Sequence, residues 1–145
     1  MVLPFLDRHS WFSFLKPKNL ERKATSSISE LGIVCQSELD LVTTLSGGNQ
    51  QKVMIGRWLS EKSEVLLLDE PFQGVDIKAR RDIGSQIRQS SKDRATLVFV
   101  AELDEAVEIA DKIVVLHEGS YAGIFENKES NIVDILSLYL SLIHI

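Results

Sequence analysis

The chain has 145 residues, a length that suits one compact domain and is too short for a large multidomain protein. Its composition, 44% hydrophobic and 26% charged, is that of an ordinary globular protein and excludes a disordered or collagen-like chain. The formal net charge of -5 provides no overall field to attract nucleic acid or an anionic membrane, so the charge predicts neither partner.

The remaining global features predict a protein of the cytosol. Cys35 is the one cysteine, so no disulfide can form within the chain, which favours a reducing compartment. The first residues lack the basic start and uninterrupted apolar run of a secretory signal. The longest apolar stretch, residues 132–145, contains Asp134 and is shorter than the roughly 20 residues that span a bilayer.

The first two predicted elements are helices. One runs over about residues 20–31 and ends at Gly32, where a C-terminal cap is expected. The other begins at Ser46 and runs to about residue 59, with apolar residues on one broad face. Its first turn contains Gly47 and Gly48, two poor helix formers that weaken the helix. This cost has no benefit for folding unless something must approach the backbone closely.

Strands and helices alternate from residue 65 onward. Two continuous apolar runs, 65–68 and 96–100, have the pattern of strands buried on both faces, as in parallel sheets. Asp76 lies between them and is placed to cap the helix that follows it. This order predicts an α/β layered domain. The other predicted elements are helices at 77–90 and 103–110, a strand at 113–116, a turn at 118–120 and a strand at 121–125.

The start of the second helix is the first candidate site. A helix N-terminus presents unpaired N–H groups and a partial positive charge, and the Ser46 hydroxyl and two glycines add a donor and remove side-chain bulk. This combination suits an anion such as a phosphate. Taken alone, however, Ser-Gly-Gly is more often just a capped helix start.

Two acids at the end of the first apolar strand form the second candidate site. Asp69 and Glu70 come directly before Pro71, at the sheet edge where open α/β folds bind ligands. The charge of one carboxylate can be offset by a bound Mg²⁺, directly or through water. The other carboxylate can orient or deprotonate an attacking water. The alternative is a strand end whose acids are simply solvated.

The two motifs occur in this order with a single helix between them, and together they resemble a known family. Residues 45–52, Leu-Ser-Gly-Gly-Asn-Gln-Gln-Lys, resemble the signature motif of ABC-type ATPases. Residues 65–70 resemble their Walker B strand and catalytic glutamate, and residues 74–76 resemble their D-loop. The resemblance is greatest to the second ATPase half of bacterial monosaccharide importers. It implies the C-terminal part of a P-loop NTPase nucleotide-binding domain, an α/β fold with a mainly parallel sheet and flanking helices, without the Walker A part.

In that family two ATPase units face each other head to tail, and ATP lies between the Walker A loop of one and the signature motif of the other. The resemblance implies that the Ser46 hydroxyl and the glycine backbones contact the γ-phosphate of ATP held by the opposite unit. It also implies that Asp76 couples the two sites across the interface. The implied ATP-binding residues are Ser46, Gly47, Gly48, Asn49 and Asp76.

The resemblance assigns separate roles to the two acids and implies the partners. Asp69 would hold Mg²⁺ through water, and Glu70 would be the catalytic base on the hydrolytic water or would orient it. The implied partners are a second ATPase half, transmembrane permease subunits and, indirectly, a solute-binding protein, with no nucleic acid. The implied place is the cytoplasm, peripherally on the inner face of the bacterial plasma membrane, and the implied cargo is a sugar or related small solute.

The sequence departs from the family pattern in two important places, besides the smaller departures of Phe72 for a common threonine and Asn49 for the commoner glutamine. The 145 residues contain no G-x-x-x-x-G-K-[ST], the Walker A loop that precedes the signature motif in the family. Ala101 stands where the family places its switch histidine, and an alanine side chain cannot hydrogen-bond to a phosphate. We therefore expect a fragment that neither binds nor hydrolyses ATP appreciably on its own.

Three segments are expected along the chain. Residues 1–45 would be a remnant of the helical subdomain and linker, and residues 46–126 the signature-helix, Walker B and D-loop part of the ATPase domain. Residues 127–145 would be a C-terminal tail. The tail has two interpretations, an amphipathic helix or a partly non-native sequence, because residues 139–145 resemble translated sequencing-adapter sequence.

Two other functional classes are open at this point. The first is a non-catalytic remnant or partner module that binds an intact ATPase half and lends it the signature motif. The second is a DNA-repair or chromosome-organising ATPase, since those relatives also have a signature motif and a Walker B strand. They need long coiled-coil heptads, and residues 1–44 contain no sustained a/d repeat, so the sequence argues against this class.

Overall fold

A computed structural model describes residues 17–60 and 63–143 of the chain. The chain divides into two compact units, Met1–Phe99 and Val100–Ile145. Among the described residues, no helix is both long enough and apolar enough to cross a membrane. The first unit contains α1 (Pro17–Glu30), a 3-10 helix (Val42–Thr44), α2 (Gly47–Leu59), β1 (Val65–Asp69), α3 (Ile77–Ser90) and β2 (Ala95–Phe99), and the second contains α4 (Leu103–Ile109), β3 (Lys112–His117), β4 (Ser120–Glu126) and α5 (Glu129–Ile143).

The first helix ends at Gly32, as the sequence predicts. Gly32 has a φ of +57°, a conformation that favours glycine. Its N–H donates to the carbonyl of Ser29 at 3.2 Å, and the N–H of Ile33 donates to the carbonyl of Ile28 at 2.9 Å. This is a Schellman motif, which turns the chain so that Ile33 packs in an apolar cluster with Val53 of α2.

β1 and β2 pair in parallel over their full length, as predicted. The prediction that both strands are buried on both faces is wrong for the described part of the chain. Leu66 and Leu68 of β1 are buried, but Leu67 between them is 64% exposed, and Leu97 of β2 is 48% exposed. A continuous apolar run is typical of a strand that is covered on both faces, and here the described residues cover one face of the pair.

α3 begins at its predicted cap and packs against α2. Asp76 Oδ1 accepts a hydrogen bond from the N–H of Ala79 at 2.8 Å, which satisfies one unpaired donor of the first turn. On the facing side of α2, Lys52 Nζ donates to Asp82 Oδ2 at 2.6 Å and to the carbonyl of Gly32 at 3.0 Å. Lys52 is only 6% exposed, so its charge depends on these two acceptors in place of water.

The second unit contains the predicted antiparallel hairpin and a helical tail. β3 and β4 are joined at Glu118 and Gly119, which have φ angles of +46° and +72°. The tail forms the helix α5, as the first of its two interpretations predicted. Its Ile135 has no exposed surface and packs against Ile113 and Val115 of β3, so α5 supplies the centre of the second unit's core.

Candidate functional site

Ser46 begins the candidate site as the N-cap of α2. Its backbone is extended, with φ -63° and ψ 156°, and its carbonyl accepts from the N–H of Gln50 at 2.9 Å. The Ser46 side chain is exposed and makes no capping hydrogen bond to the helix. A serine at this position usually caps the helix with its hydroxyl, so the exposed, uncapped hydroxyl agrees with the anion-binding interpretation better than with the capped-helix alternative.

Asn49 connects the start of α2 to the segment that follows α1. The N–H of Val34 donates to Asn49 Oδ1 at 3.0 Å, and Asn49 Nδ2 donates to Ser46 Oγ at 2.9 Å. The neighbouring Gln50 adds a bond from its Nε2 to the carbonyl of Leu45 at 2.8 Å. The first turn of α2 is therefore held by side-chain amides on both sides of Ser46.

The two glycines of the first turn lie where other parts of the first unit approach α2. A Cβ added at Gly48 would lie 3.0 Å from the Cβ of Ala79 on α3, tighter than most real side-chain contacts. A Cβ added at Gly47 would lie 3.5 Å from the carbonyl oxygen of Gly74, which is ordinary van der Waals contact. Packing within the chain thus accounts for Gly48, whereas it leaves room at Gly47.

The two acids lie at the carboxyl end of β1. Asp69 is the last residue of the strand and is exposed, and Glu70 follows it and is half-buried. Glu70 has a φ of +45°, which is uncommon for a residue with a Cβ, and its N–H donates to the carbonyl of Phe99 at 3.0 Å. In the described ranges neither carboxylate has a hydrogen-bond or ion-pair partner, so both are available to a ligand.

Gln51 links these two parts of the site. Its Nε2 donates to the carbonyl of Pro71 at 2.9 Å, directly after the acids. Gly74, with a φ of +70°, lies in the turn that leads from the acids to α3 and is the residue beside Gly47. The signature-like segment, the turn after the acids and the start of α3 are thus joined by short contacts within the first unit. Asp76 lies at that start, where its carboxylate caps α3.

The sequence analysis did not identify Lys52 as a supporting residue. The signal was present in the helical spacing, because Gly48, Lys52 and Gly56 recur every four residues and so share one side of α2. The structure buries Lys52 and Gly56 and packs Gly48 against α3. Within residues 17–60 and 63–143, no cluster of three or more His, Cys, Asp or Glu side chains is arranged to hold a metal ion.

The chain matches known proteins over most of its length. Residues 5–73 match the family model described as ABC transporter. The galactose/methyl galactoside import ATP-binding protein of Fusobacterium nucleatum is 37% identical over 139 residues, which cover 94% of this chain and 28% of that protein. A protein of the same description from Photobacterium profundum is 36% identical over 128 residues, or 88% of this chain and 25% of that protein. The chain therefore spans about a quarter of the length of the curated relatives it matches.

Solved structures show the same fold. A dimeric bacterial ABC transporter cassette superposes with a TM-score of 0.73 at 19% identity, covering 87% of this chain and 54% of that one. A dimeric ATP-binding cassette in a post-hydrolysis state, bound to ADP and Pi, superposes with a TM-score of 0.68 at 18% identity, covering 81% of this chain and 51% of that one. The predicted α/β fold of a P-loop NTPase cassette is confirmed.

Proposed function

This chain belongs to the ABC transporter family of ATP-binding proteins, and from that premise we propose that it forms part of the ATPase subunit of an importer for a sugar or a related small solute. The proposed cargo follows the names of the two relatives, both described as import ATP-binding proteins for galactose and methyl galactoside. The proposed coupling to ATP follows the family match and the cassette fold.

In this proposal the start of α2 meets the γ-phosphate of ATP bound by a second ATPase unit. The Ser46 hydroxyl and the N–H groups of Gly47 and Gly48 are the donors, at the positive end of a 13-residue helix. The exposed hydroxyl and the space at Gly47 support this role. Asp76 follows two residues after Gly74, which lies beside Gly47, and it couples the two sites. Asn49 completes the ATP-binding segment.

The acids at the end of β1 carry the proposed hydrolytic chemistry. Glu70 accepts a proton from the attacking water or orients it, and Asp69 would hold Mg²⁺ through water. The donor set fits this ion, because Mg²⁺ prefers hard carboxylate oxygens and usually keeps several waters while it takes one or two carboxylates and substrate phosphates. When bound, the ion neutralises charge on the phosphates. The lack of described partners for both carboxylates supports these roles.

The proposal also covers assembly. The 145 residues contain no G-x-x-x-x-G-K-[ST], so we propose that a protein consisting of these residues alone neither binds nor hydrolyses ATP appreciably. The proposed partners are a second ATPase half, transmembrane permease subunits and, through them, a solute-binding protein. The proposed place is the cytoplasmic face of a bacterial plasma membrane.

One observation carries this proposal. This chain is 37% identical to an import ATP-binding protein over 139 residues. In it, a helix start with an exposed, uncapped serine lies beside the turn that follows two acids, and neither acid has a partner among the described residues. An ordinary structural helix gains nothing from an N-cap hydroxyl that does not bond to the N–H groups of its first turn, since that capping bond stabilises a helix by about 1 kcal/mol.

A chimera tests the proposal. The aligned 139 residues of the Fusobacterium nucleatum relative are replaced by those of this chain, and Mg²⁺-dependent ATP hydrolysis is measured. We expect a turnover within about tenfold of the relative's own, because every proposed catalytic group is retained. A folded chimera that hydrolyses no ATP would contradict the proposal, and so would ATP hydrolysis by the 145-residue chain alone.

A pair of serine variants provides the matched control. Ser46→Arg in the chimera places a bulky cation against the helix N-terminus and should abolish hydrolysis. Ser60→Arg places the same side chain at the C-cap of the same helix, where a cation is favoured, and should leave turnover unchanged. Equal losses from both variants would show that the effect does not come from the signature segment.

A second candidate function is a non-catalytic module that lends its signature motif to an intact ATPase half. The observation that favours it is the combination of a complete signature segment with no Walker A sequence in the 145 residues. The purified chain is added to the unmodified relative, and a rise in ATP turnover that Ser46→Arg removes would favour this module. No rise would exclude it for that partner.

A further inference from the structure

We propose that Asn49 is a positioning residue that orients the Ser46 hydroxyl, so that its proton is donated outward to a phosphate oxygen. The role rests on the proposed function of the signature segment. The role goes beyond that proposed function, because Asn49 acts by orienting Ser46 and not by its own contact with ATP.

The orientation of the Asn49 amide follows from its two partners. The N–H of Val34, 3.0 Å away, can only donate, so the atom that faces it must be the carbonyl oxygen Oδ1. The other end of the amide, 2.9 Å from Ser46 Oγ, is therefore Nδ2, which can only donate. Both ends of the side chain are thus engaged within the chain, and the direction of each bond is determined.

The direction of the second bond determines what the Ser46 hydroxyl can do. Because Oγ accepts from Asn49 Nδ2, the hydroxyl proton is not used in this bond. It is not used at the helix either, because the nearby backbone groups of the first turn are donors and Ser46 makes no capping bond. No acceptor for this proton lies among residues 17–60 and 63–143, so it is left for an acceptor beyond them, and the oxygens of an ionised γ-phosphate only accept.

A change of Asn49 to Asp separates this role from simple structural support. The carboxylate of Asn49→Asp can still accept from the N–H of Val34, and an acid in the first turn suits the helix dipole, so stability should stay near wild type. It cannot donate to Ser46, whose hydroxyl would instead turn inward to donate to the new carboxylate. We therefore expect Asn49→Asp to lower kcat/KM for ATP more than Asn49→Ala does, while Asn49→Ala lowers the melting temperature more.

A double-mutant cycle in the ATPase chimera gives the decisive measurement. Ser46→Ala and Asn49→Ala are each expected to lower kcat/KM about tenfold, as for one charge-assisted hydrogen bond. If Asn49 acts through the Ser46 hydroxyl, the double variant also loses about tenfold, because nothing remains for Asn49 to orient. If Asn49 contacts ATP directly or acts only by holding Val34, the losses multiply to about a hundredfold.

The outcomes distinguish this inference from the proposal beneath it. An unsubstituted chimera that folds but does not hydrolyse ATP overturns the proposed function and the role of Asn49 with it. An active chimera in which the two losses multiply, or in which Asn49→Asp keeps wild-type kcat/KM, overturns the role of Asn49 alone. Non-additive losses together with a stable, impaired Asn49→Asp variant support it.

Discussion

The two parts of the candidate site are held in place by different means. At the start of α2 the supports are side chains, since Asn49 bonds to Val34 and Ser46. At the end of β1 the support is the backbone, where the parallel ladder with β2 extends by one bond from Glu70 N–H to Phe99 O. The carboxylates at that end hold no described partner and are left exposed or half-buried.

This difference in support determines whether a substitution changes the stability of the fold, the proposed activity, or both. Where side chains are the supports, truncation of a supporting side chain removes its hydrogen bonds and weakens the fold, so activity and stability fall together. Where the backbone is the support, a carboxylate can be replaced by an amide of the same shape without loss of a described contact. The acidic end should therefore tolerate isosteric substitution structurally while losing its proposed chemistry. At the α2 end, truncation of a supporting side chain should lower stability as well as activity.

The largest expected effect is the loss of hydrolysis in Glu70→Gln. The amide keeps the shape and the backbone bond to Phe99 but cannot accept a proton, so ATP turnover of the chimera should fall by roughly a hundredfold or more, as for removal of a general base. The melting temperature should stay unchanged. Glu64→Gln, directly before β1, is the matched control and should leave turnover unaltered.

The second effect is on stability and comes from the other part of the site. Lys52→Met keeps the apolar stem but leaves the Gly32 carbonyl and the Asp82 carboxylate without their shared donor. Breaking a fully buried pair costs about 3–5 kcal/mol, and because the Asp82 side chain is 40% exposed we expect about 2 kcal/mol here. Urea unfolding of the chain followed by circular dichroism measures it.

Lys78→Met provides the control for that measurement. This lysine is exposed in the first turn of α3, so its replacement should change the free energy of unfolding by less than about 0.5 kcal/mol. If Lys52→Met were no more destabilising than Lys78→Met, the side-chain supports of α2 would carry little of the fold, and the contrast with the acidic end would fail.

The smallest effect concerns Asp76, an acid whose side chain is itself a support. Asp76→Ala removes the bond to the N–H of Ala79 and should lower the free energy of unfolding by about 1 kcal/mol. Asp76→Asn keeps an oxygen in the same place and should be nearly neutral, because asparagine caps helices as well as aspartate does. Thermal unfolding of both variants measures the difference. If Asp76→Asn lost as much stability as Asp76→Ala, the charge of Asp76, and not its capping hydrogen bond, would stabilise α3.

Much of the fold could be predicted from short-range patterns. The Schellman end at Gly32 and the cap at Asp76 were both predicted, because each depends on a residue type and the four or five positions around it. Burial was harder. The apolar runs of β1 and β2 indicated cover on both faces, but cover depends on what packs against a strand, and Leu67 is 64% exposed in the described chain.

The sequence by itself determined the order of the elements from α2 to β4, the C-terminal end of α1, the start of α3 and the order of the motifs, because these signals act between near neighbours. Tertiary structure decided which side chains meet. Asn49 bonds to a residue 15 positions away and Lys52 to one 30 positions away, so neither pairing has a local signal. Both depend on the packing of α2 against α3 and against the turn after α1, which brings donors and acceptors that are distant in sequence within hydrogen-bond reach.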